Sequence, residues 1–264
     1  MDAEVRSRLA HLNMVEFSRE MSRWSGPHGH LEERDGMLFF ATASPFPAVC
    51  NGAWALDPAV EPARLIAAAD RWFGELGRGY SIWADDAGHQ HPDLGPVAAD
   101  HGLTAIGDTP AMVVAHPVDE PELPDDVELR WVHDHQGLVD FAAVGDAAFA
   151  SIGLPDGTAP HVLTDLRAMT EPHIGNVVAY LEGRPVAAAQ VVGSGAAAGV
   201  YWVGTLPEAR GHGFGEAVTA AVTNRGLELG ATFATLQASS MGEPIYARMG
   251  YQTIYTYRSY ARFD

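Results

Sequence analysis

The sequence predicts an α/β (α+β) protein, and three observations carry that reading. Apolar runs of strand length alternate with amphipathic stretches of helical period along the whole chain. A strand-like run at 200–203 passes into a glycine-rich turn and then a helix-like run at 215–229. An acidic, proline-rich stretch at 117–126 separates two such alternations. With 264 residues, 47% of them apolar, the chain has material for one large or two ordinary domains. We place the division at 1–120 and 126–264.

Residues 5–24 read as an amphipathic helix, with Val5, Leu9, Leu12, Phe17, Met21 and Trp24 on one stripe, stopped by Ser25-Gly26-Pro27. Strands are expected at 37–42 and 48–56, split by Pro45-Phe46-Pro47. Pro62 can open a helix, because its missing N–H has no partner in the first turn anyway. Leu65, Ile66, Ala69, Trp72, Phe73 and Leu76 give that helix an apolar face, and Gly77 and Gly79 end it. A strand at 80–84, a helix at 94–101 and a strand at 112–115 complete the first half.

In the second half Val127, Leu129 and Trp131 alternate with Glu128 and Arg130, as in a half-buried strand. Asp134 caps a helix over 138–149, and another helix is expected at 160–169. Glu182-Gly183-Arg184-Pro185 joins strands at 176–181 and 186–192 into a hairpin. A strand at 200–205 leads to the glycine turn and its helix, with Gly230 as the stop. A strand at 231–237, a short helix at 244–249 and a long, bent aromatic strand at 251–262 follow.

All sixteen basic residues are arginine, and the formal net charge is −18. A phosphate backbone would be repelled overall, which argues against nucleic acid as a partner. The field favours a cationic small molecule, although an acidic surface also serves solubility alone. No apolar run reaches the ~18 residues of a membrane span. The start, Met1-Asp2-Ala3-Glu4-Val5-Arg6, is charged and lacks a signal region, so we expect a cytoplasmic protein, monomer or homodimer. Cys50 is the one cysteine, so no internal disulfide or cysteine zinc site can form.

The chemistry concentrates at 205–216, where Gly211, Gly213 and Gly215 alternate at the strand-to-helix junction. Glycine lets the backbone turn sharply and lets a ligand approach it. The loop amides, the free N–H groups of the helix start and the helix dipole together attract a phosphate. Arg210 adds a fixed positive charge. No Lys-Ser/Thr follows, so this is not a nucleotide P-loop, and the dinucleotide G-x-G-x-x-G spacing is absent.

Arg210, Gly213 and Gly215 form Arg-x-x-Gly-x-Gly, which resembles the acetyl-CoA signature of the GCN5-related N-acetyltransferases, the GNAT superfamily. A second marker, Tyr246-Ala247-Arg248-Met249-Gly250-Tyr251, resembles the superfamily's Tyr-x-x-x-Gly-aromatic segment. The element order over 127–264 is also that of the GNAT fold, a mixed central sheet with flanking helices. The first half resembles the back end of another such domain, but Asp57-Pro58-Ala59-Val60-Glu61-Pro62 stands where the glycine loop would be. It is either a degenerate copy, making a tandem GNAT protein, or an unrelated α/β domain.

The resemblance implies an acetyl-CoA-dependent N-acetyltransferase in which the amine of a small-molecule acceptor attacks the thioester directly. It implies that the backbone of Trp202, Val203, Gly204 and Thr205 pairs with the pantetheine arm. It implies that the amides of Arg210, Gly211, His212, Gly213, Phe214, Gly215 and Glu216 hold the diphosphate, and that Tyr246 protonates the leaving thiolate. Ser239 stands where the family often has a CoA-contacting Asn, and its hydroxyl can supply part of that contact. The alternative is a non-catalytic acyl-CoA-binding or regulatory module of the same fold.

No general base is legible. Glu171 and His173 are candidates, and an amine that loses its proton unaided needs none. Three His-x-His pairs, His28/His30, His89/His91 and His133/His135, have a spacing that suits a metal on a strand. Their polar, turn-rich surroundings and the lack of a third ligand favour surface histidines, and no metal is expected. Cys50 reads as buried packing.

Overall fold

The computed structural model describes residues 1–151 and 153–263. Along the chain run α1 (Ala3–Trp24), β1 (His30–Arg34), β2 (Met37–Ala41), β3 (Asn51–Ala55), α2 (Pro62–Leu76), β4 (Tyr80–Asp85), α3 (Leu94–Asp100) and β5 (Thr104–Val114). They are followed by β6 (Val127–Trp131), α4 (His135–Ala150), α5 (Thr158–Val162), α6 (Leu166–Met169), β7 (Ile174–Leu181), β8 (Arg184–Ser194) and β9 (Ala197–Thr205). Last come α7 (Phe214–Glu228), β10 (Phe233–Gln237), α8 (Glu243–Arg248) and β11 (Gln252–Arg262).

The strands form one mixed sheet of eleven, in the order β1-β2-β3-β4-β11-β5-β10-β9-β8-β7-β6. Two of its pairings are parallel, β3 with β4 and β9 with β10. The order is not sequential at the centre. β5, from the first half, lies between β10 and β11, and β11, from the second, lies between β4 and β5. Each half thus lends a strand to the other. The same run, three strands, a helix, a strand, a helix and a strand, appears twice, as β1-β2-β3-α2-β4-α3-β5 and as β7-β8-β9-α7-β10-α8-β11.

Side chains alternate across the sheet as the two-residue strand period requires. Leu38, Phe40, Trp54, Trp83, Ala111, Val113 and Tyr201 face α1 and α4–α6 in one continuous core. The opposite face packs on α2 and α3 in the first half and on α7 and α8 in the second. The first helix is capped by Asp2, whose carboxylate accepts from the Glu4 N–H. It then crosses both halves. Asn13 donates to the Val192 carbonyl and Ser194 Oγ (2.9 and 2.8 Å) and accepts from the Tyr201 hydroxyl at 2.6 Å. Gly199 permits this approach, since a Cβ there would lie 1.9 Å from Asn13 Oδ1.

Three elements differ from expectation. The helix expected at 160–169 is two short ones, α5 and α6. Between them the N–H groups of Thr164 and Asp165 turn to the Trp24 carbonyl at the end of α1 (3.1 and 3.0 Å), and Asp165 caps α6. β1 has no apolar alternation to announce it, because as an edge strand it is largely exposed. β5 begins at Thr104 rather than 112, since its first five residues are exposed and only the last four are fully buried.

Candidate functional site

The two parallel pairs are forks. β10 pairs with β9 only through Phe233–Ala197, Ala234–Ala198 and Thr235–Gly199. Beyond that point β9 stays with β8, through Tyr201, Gly204 and Thr205, while β10 stays with β5 through Leu236 and Gln237. The β8–β9 register shifts between Gln190–Tyr201 and Ala188–Gly204, a bulge at Trp202 and Val203, and Trp202 takes φ +49°. A bulge bends its strand and deepens the twist, which turns the end of β9 away from β10. The residues expected to pair with pantetheine, Trp202, Val203, Gly204 and Thr205, are the arm of this fork.

The glycine loop closes the fork. Gly211 and Gly213 both take φ +81°, a region in which a side chain would be strained, and their Cβ positions face open space. Among the described residues no backbone or side-chain acceptor takes the N–H groups of Gly211, His212, Gly213, Phe214, Gly215 or Glu216. Six consecutive free amides at the start of a fifteen-residue helix are a cradle for an anion. The Arg210 guanidinium ties the loop down, donating to the Thr205 carbonyl (3.3 Å) and to Ser151 Oγ (2.7 Å). His212 stacks on Phe214.

The fork in the first half has the same strands and different contents. β3 and β4 pair only through Gly52–Ser81 and Ala53–Ile82. Beyond, the Gln90 side chain occupies the gap. Its Oε1 accepts from the Ala55 N–H (3.3 Å) and its Nε2 donates to the Ala55 carbonyl (3.1 Å), as a peptide unit of a neighbouring strand would. Asp85 fixes the segment that carries Gln90, accepting from the N–H groups of Ala87, His89 and Gln90. The turn before α2 has no anion cradle. The Leu56 and Asp57 amides bond to the Gly36 carbonyl, and those of Ala59 and Val60 bond to Asp57.

Residues 177–254 match the family model described as the acetyltransferase (GNAT) domain. This stretch holds the glycine loop and Tyr246, and it is similar to a GNAT domain. Among solved structures, a GCN5-related N-acetyltransferase from Kribbella flavida is similar with a TM-score of 0.71 at 23% identity, over 99% of this chain and 96% of that one. One from Sphaerobacter thermophilus gives 0.63 at 14% identity, over 91% and 83%. A tandem GNAT protein from the clavulanic acid biosynthesis pathway gives 0.59 at 15%, over 90% and 84%. At these identities the likeness speaks to the fold, and it spans both halves. No curated protein sequence matches the chain.

Within the second half, Tyr246 lies on α8 and packs against the α7 side of the core. Its ring rests on Gly242, where a Cβ would meet it at 2.7 Å. Burial pushes its hydroxyl up to about 12, so it holds its proton at neutral pH. Among the described residues that hydroxyl has no hydrogen-bond partner. Ser239 is exposed, and both its hydroxyl and its carbonyl accept from the Gly242 amide at the entry to α8. Tyr251 is buried and bonds to Thr223 (2.6 Å), a core role.

The other candidates scatter. β7 runs parallel to β9, so Glu171 and His173, just before it, lie at the end of the sheet away from the glycine loop. His173 sits 3.4 Å from Glu20 of α1. His133 and His135 line an open cavity of about 610 Å³ with Asp165 and Arg167. His89 is not a surface histidine: it bonds to Ser7 and stacks on His11, a residue the sequence did not single out. Among the described residues no group of three or more His, Cys, Asp or Glu could hold a metal ion. Cys50 is fully buried, and burial raises its thiol to about 12. No described helix is long and apolar enough to cross a membrane.

Proposed function

We propose that the protein is an acetyl-CoA-dependent N-acetyltransferase whose acceptor is a small-molecule amine. The observation that carries this reading is the joining of an open β9–β10 fork to six free amides at 211–216. An extended amide-bearing arm fits the one, and a diphosphate fits the other. Acetyl-CoA, when bound, supplies an acetyl group activated as a thioester. The backbone of Trp202 to Thr205 would hold its arm and the loop amides its diphosphate, with Arg210, bonded to the Thr205 carbonyl and Ser151, tying the loop down beside it. Tyr246 keeps its proton and so can deliver it to a developing thiolate. The rest of the catalysis is placement of amine and thioester.

The test is thermal unfolding with and without acetyl-CoA, for the wild type and for Gly213→Glu. At ~100 times its Kd a ligand adds about 2.7 kcal/mol, which at this chain length raises Tm by roughly 5–10 °C. A rise in the wild type that vanishes in the variant supports the reading, and no rise at millimolar acetyl-CoA overturns it. Tyr246→Phe then separates an enzyme from a binding module of the same fold. With Tyr246 as the acid, turnover falls by about 10²–10⁴-fold while acetyl-CoA affinity holds.

A further inference from the structure

β11 sets two hydroxyls on the α1 face of the sheet, beside the open fork. Tyr255 lies opposite Ala111 of β5, and Ala111 lies opposite Gln237, the last residue of β10. Tyr255 Oη is 3.1 Å from Tyr257 Oη, which is 2.8 Å from His11 Nδ1. His11 Nε2 is in turn 3.3 Å from Gln90 Nε2.

The Gln90 end fixes the direction of this chain. Ala55 orients the carboxamide, because its N–H requires the oxygen and its carbonyl requires the nitrogen. The two Gln90 Nε2 hydrogens face the Ala55 carbonyl, the His89 carbonyl (3.3 Å) and His11 Nε2, and because this nitrogen can only donate, His11 meets it as an acceptor at Nε2. Burial, aided by His89 and Arg8, keeps His11 neutral, its pKa lowered to about 3. A neutral imidazole that accepts at one nitrogen donates at the other. His11 Nδ1–H thus donates to Tyr257, and the Tyr257 O–H donates to Tyr255. The Tyr255 hydrogen is left without an acceptor among the described residues.

Other buried donors on this face also lack acceptors. Gln237 Nε2 is on the β10 arm of the fork and Trp202 Nε1 on the β9 arm; Thr235 Oγ1, on β10, is likewise unpaired. A buried donor left unpaired costs stability that a ligand bearing acceptors restores. Gln190 Oε1 is unpaired too, but it lies beneath α6 beside Met169 and Asn176.

We infer that the acceptor amine carries a carbonyl or carboxylate oxygen near its nitrogen, bound by the Tyr255 O–H, and that the filled first-half fork keeps Tyr255 a donor through Gln90, His11 and Tyr257. This rests on the second-half fork being the thioester site. Tyr255 touches the acceptor; Gln90, His11 and Tyr257 position it.

Two readouts test it. In protein labelled with nitrogen-15 in its imidazoles, with His11→Asn assigning the signal, His11 at neutral pH is expected to be protonated at Nδ1 and bare at Nε2. The opposite tautomer, or a charged ring, overturns the chain of donors. This readout needs no turnover, so it stands apart from acetyl-CoA binding, whose loss would overturn the thioester reading instead. The second readout uses acetyl-CoA with paired acceptors, phenylalanine against phenethylamine and lysine against cadaverine. The carboxylate-bearing member is expected to lead by about tenfold in kcat/KM. Tyr255→Phe should erase that preference and leave the acetyl-CoA KM unchanged. His11→Asn, which keeps a donor near the Nδ1 position, should retain it, and His11→Leu should lose it. Equal rates for each pair, a preference that survives Tyr255→Phe, or no product from any pair by protein that binds acetyl-CoA overturns the substrate class.

Discussion

The two forks share strand geometry and differ in what satisfies their backbone. At β9–β10 the six loop amides have no partner among the described residues, whereas at β3–β4 Gln90 bonds both polar groups of Ala55 and the turn amides bond inward. Splaying two parallel strands exposes N–H and C=O groups that must find partners. On the proposed reading one half leaves that task to a ligand, and the other performs it with its own side chains. The difference teaches that a splayed strand pair can be closed by a side chain of its own chain. The filled groove is also reused, since Gln90 reaches His11.

Calorimetry offers the largest effect by which to break this comparison. One acetyl-CoA should bind per chain, and Gly213→Glu, with its strained φ and added carboxylate, should weaken binding by about 100-fold or more. Two sites in the wild type would show that the first fork is open after all. Next, Gln90→Ala strands the Ala55 N–H and C=O in a half-buried setting. Denaturant unfolding should show a loss of about 1–3 kcal/mol, with acetyl-CoA affinity unchanged. A second acetyl-CoA site in that variant would sharpen the comparison by making Gln90 a removable plug.

The smallest effect is a pH dependence. His11 is charged in the unfolded chain below its ordinary value of 6.5 and stays neutral in the fold down to about 3. The unfolded state therefore binds more protons in that window, and stability falls as pH falls. Between pH 6.5 and 5.5 the loss from this one group is about 1 kcal/mol. Urea titrations of wild type and His11→Asn at both pH values isolate it, and equal slopes would mean that the fold tolerates a charged His11.

What the sequence makes legible is what is local. Arg210, Gly213 and Gly215 announce a loop because glycine answers a backbone demand within a few residues, and the hairpin at 182–185 does the same. The exposed start of β5 and the polar β1 carry no periodicity, since neither strand buries one face along its length. Gln90 and His11 were out of reach for a different reason. A glutamine reads as polar loop until Ala55, 35 positions away, is known to lack a partner on its β4 side. Tyr255 and Tyr257 stand out as aromatic strand residues, but only the register of β11 against β5 brings them beside the fork.

The exchange of β5 and β11 sets the order in which the sheet can be completed. A chain emerging from the ribosome ordinarily folds its first domain before its second is made. Here both neighbours of β5, and the second neighbour of β4, belong to residues 233–262. Until those residues emerge, the first half holds unpaired strand edges, which are templates for pairing with other chains. The halves should therefore gain their structure in one late step and lose it in a single transition. A nascent chain stalled after the first half would be a client for chaperones, not a finished domain.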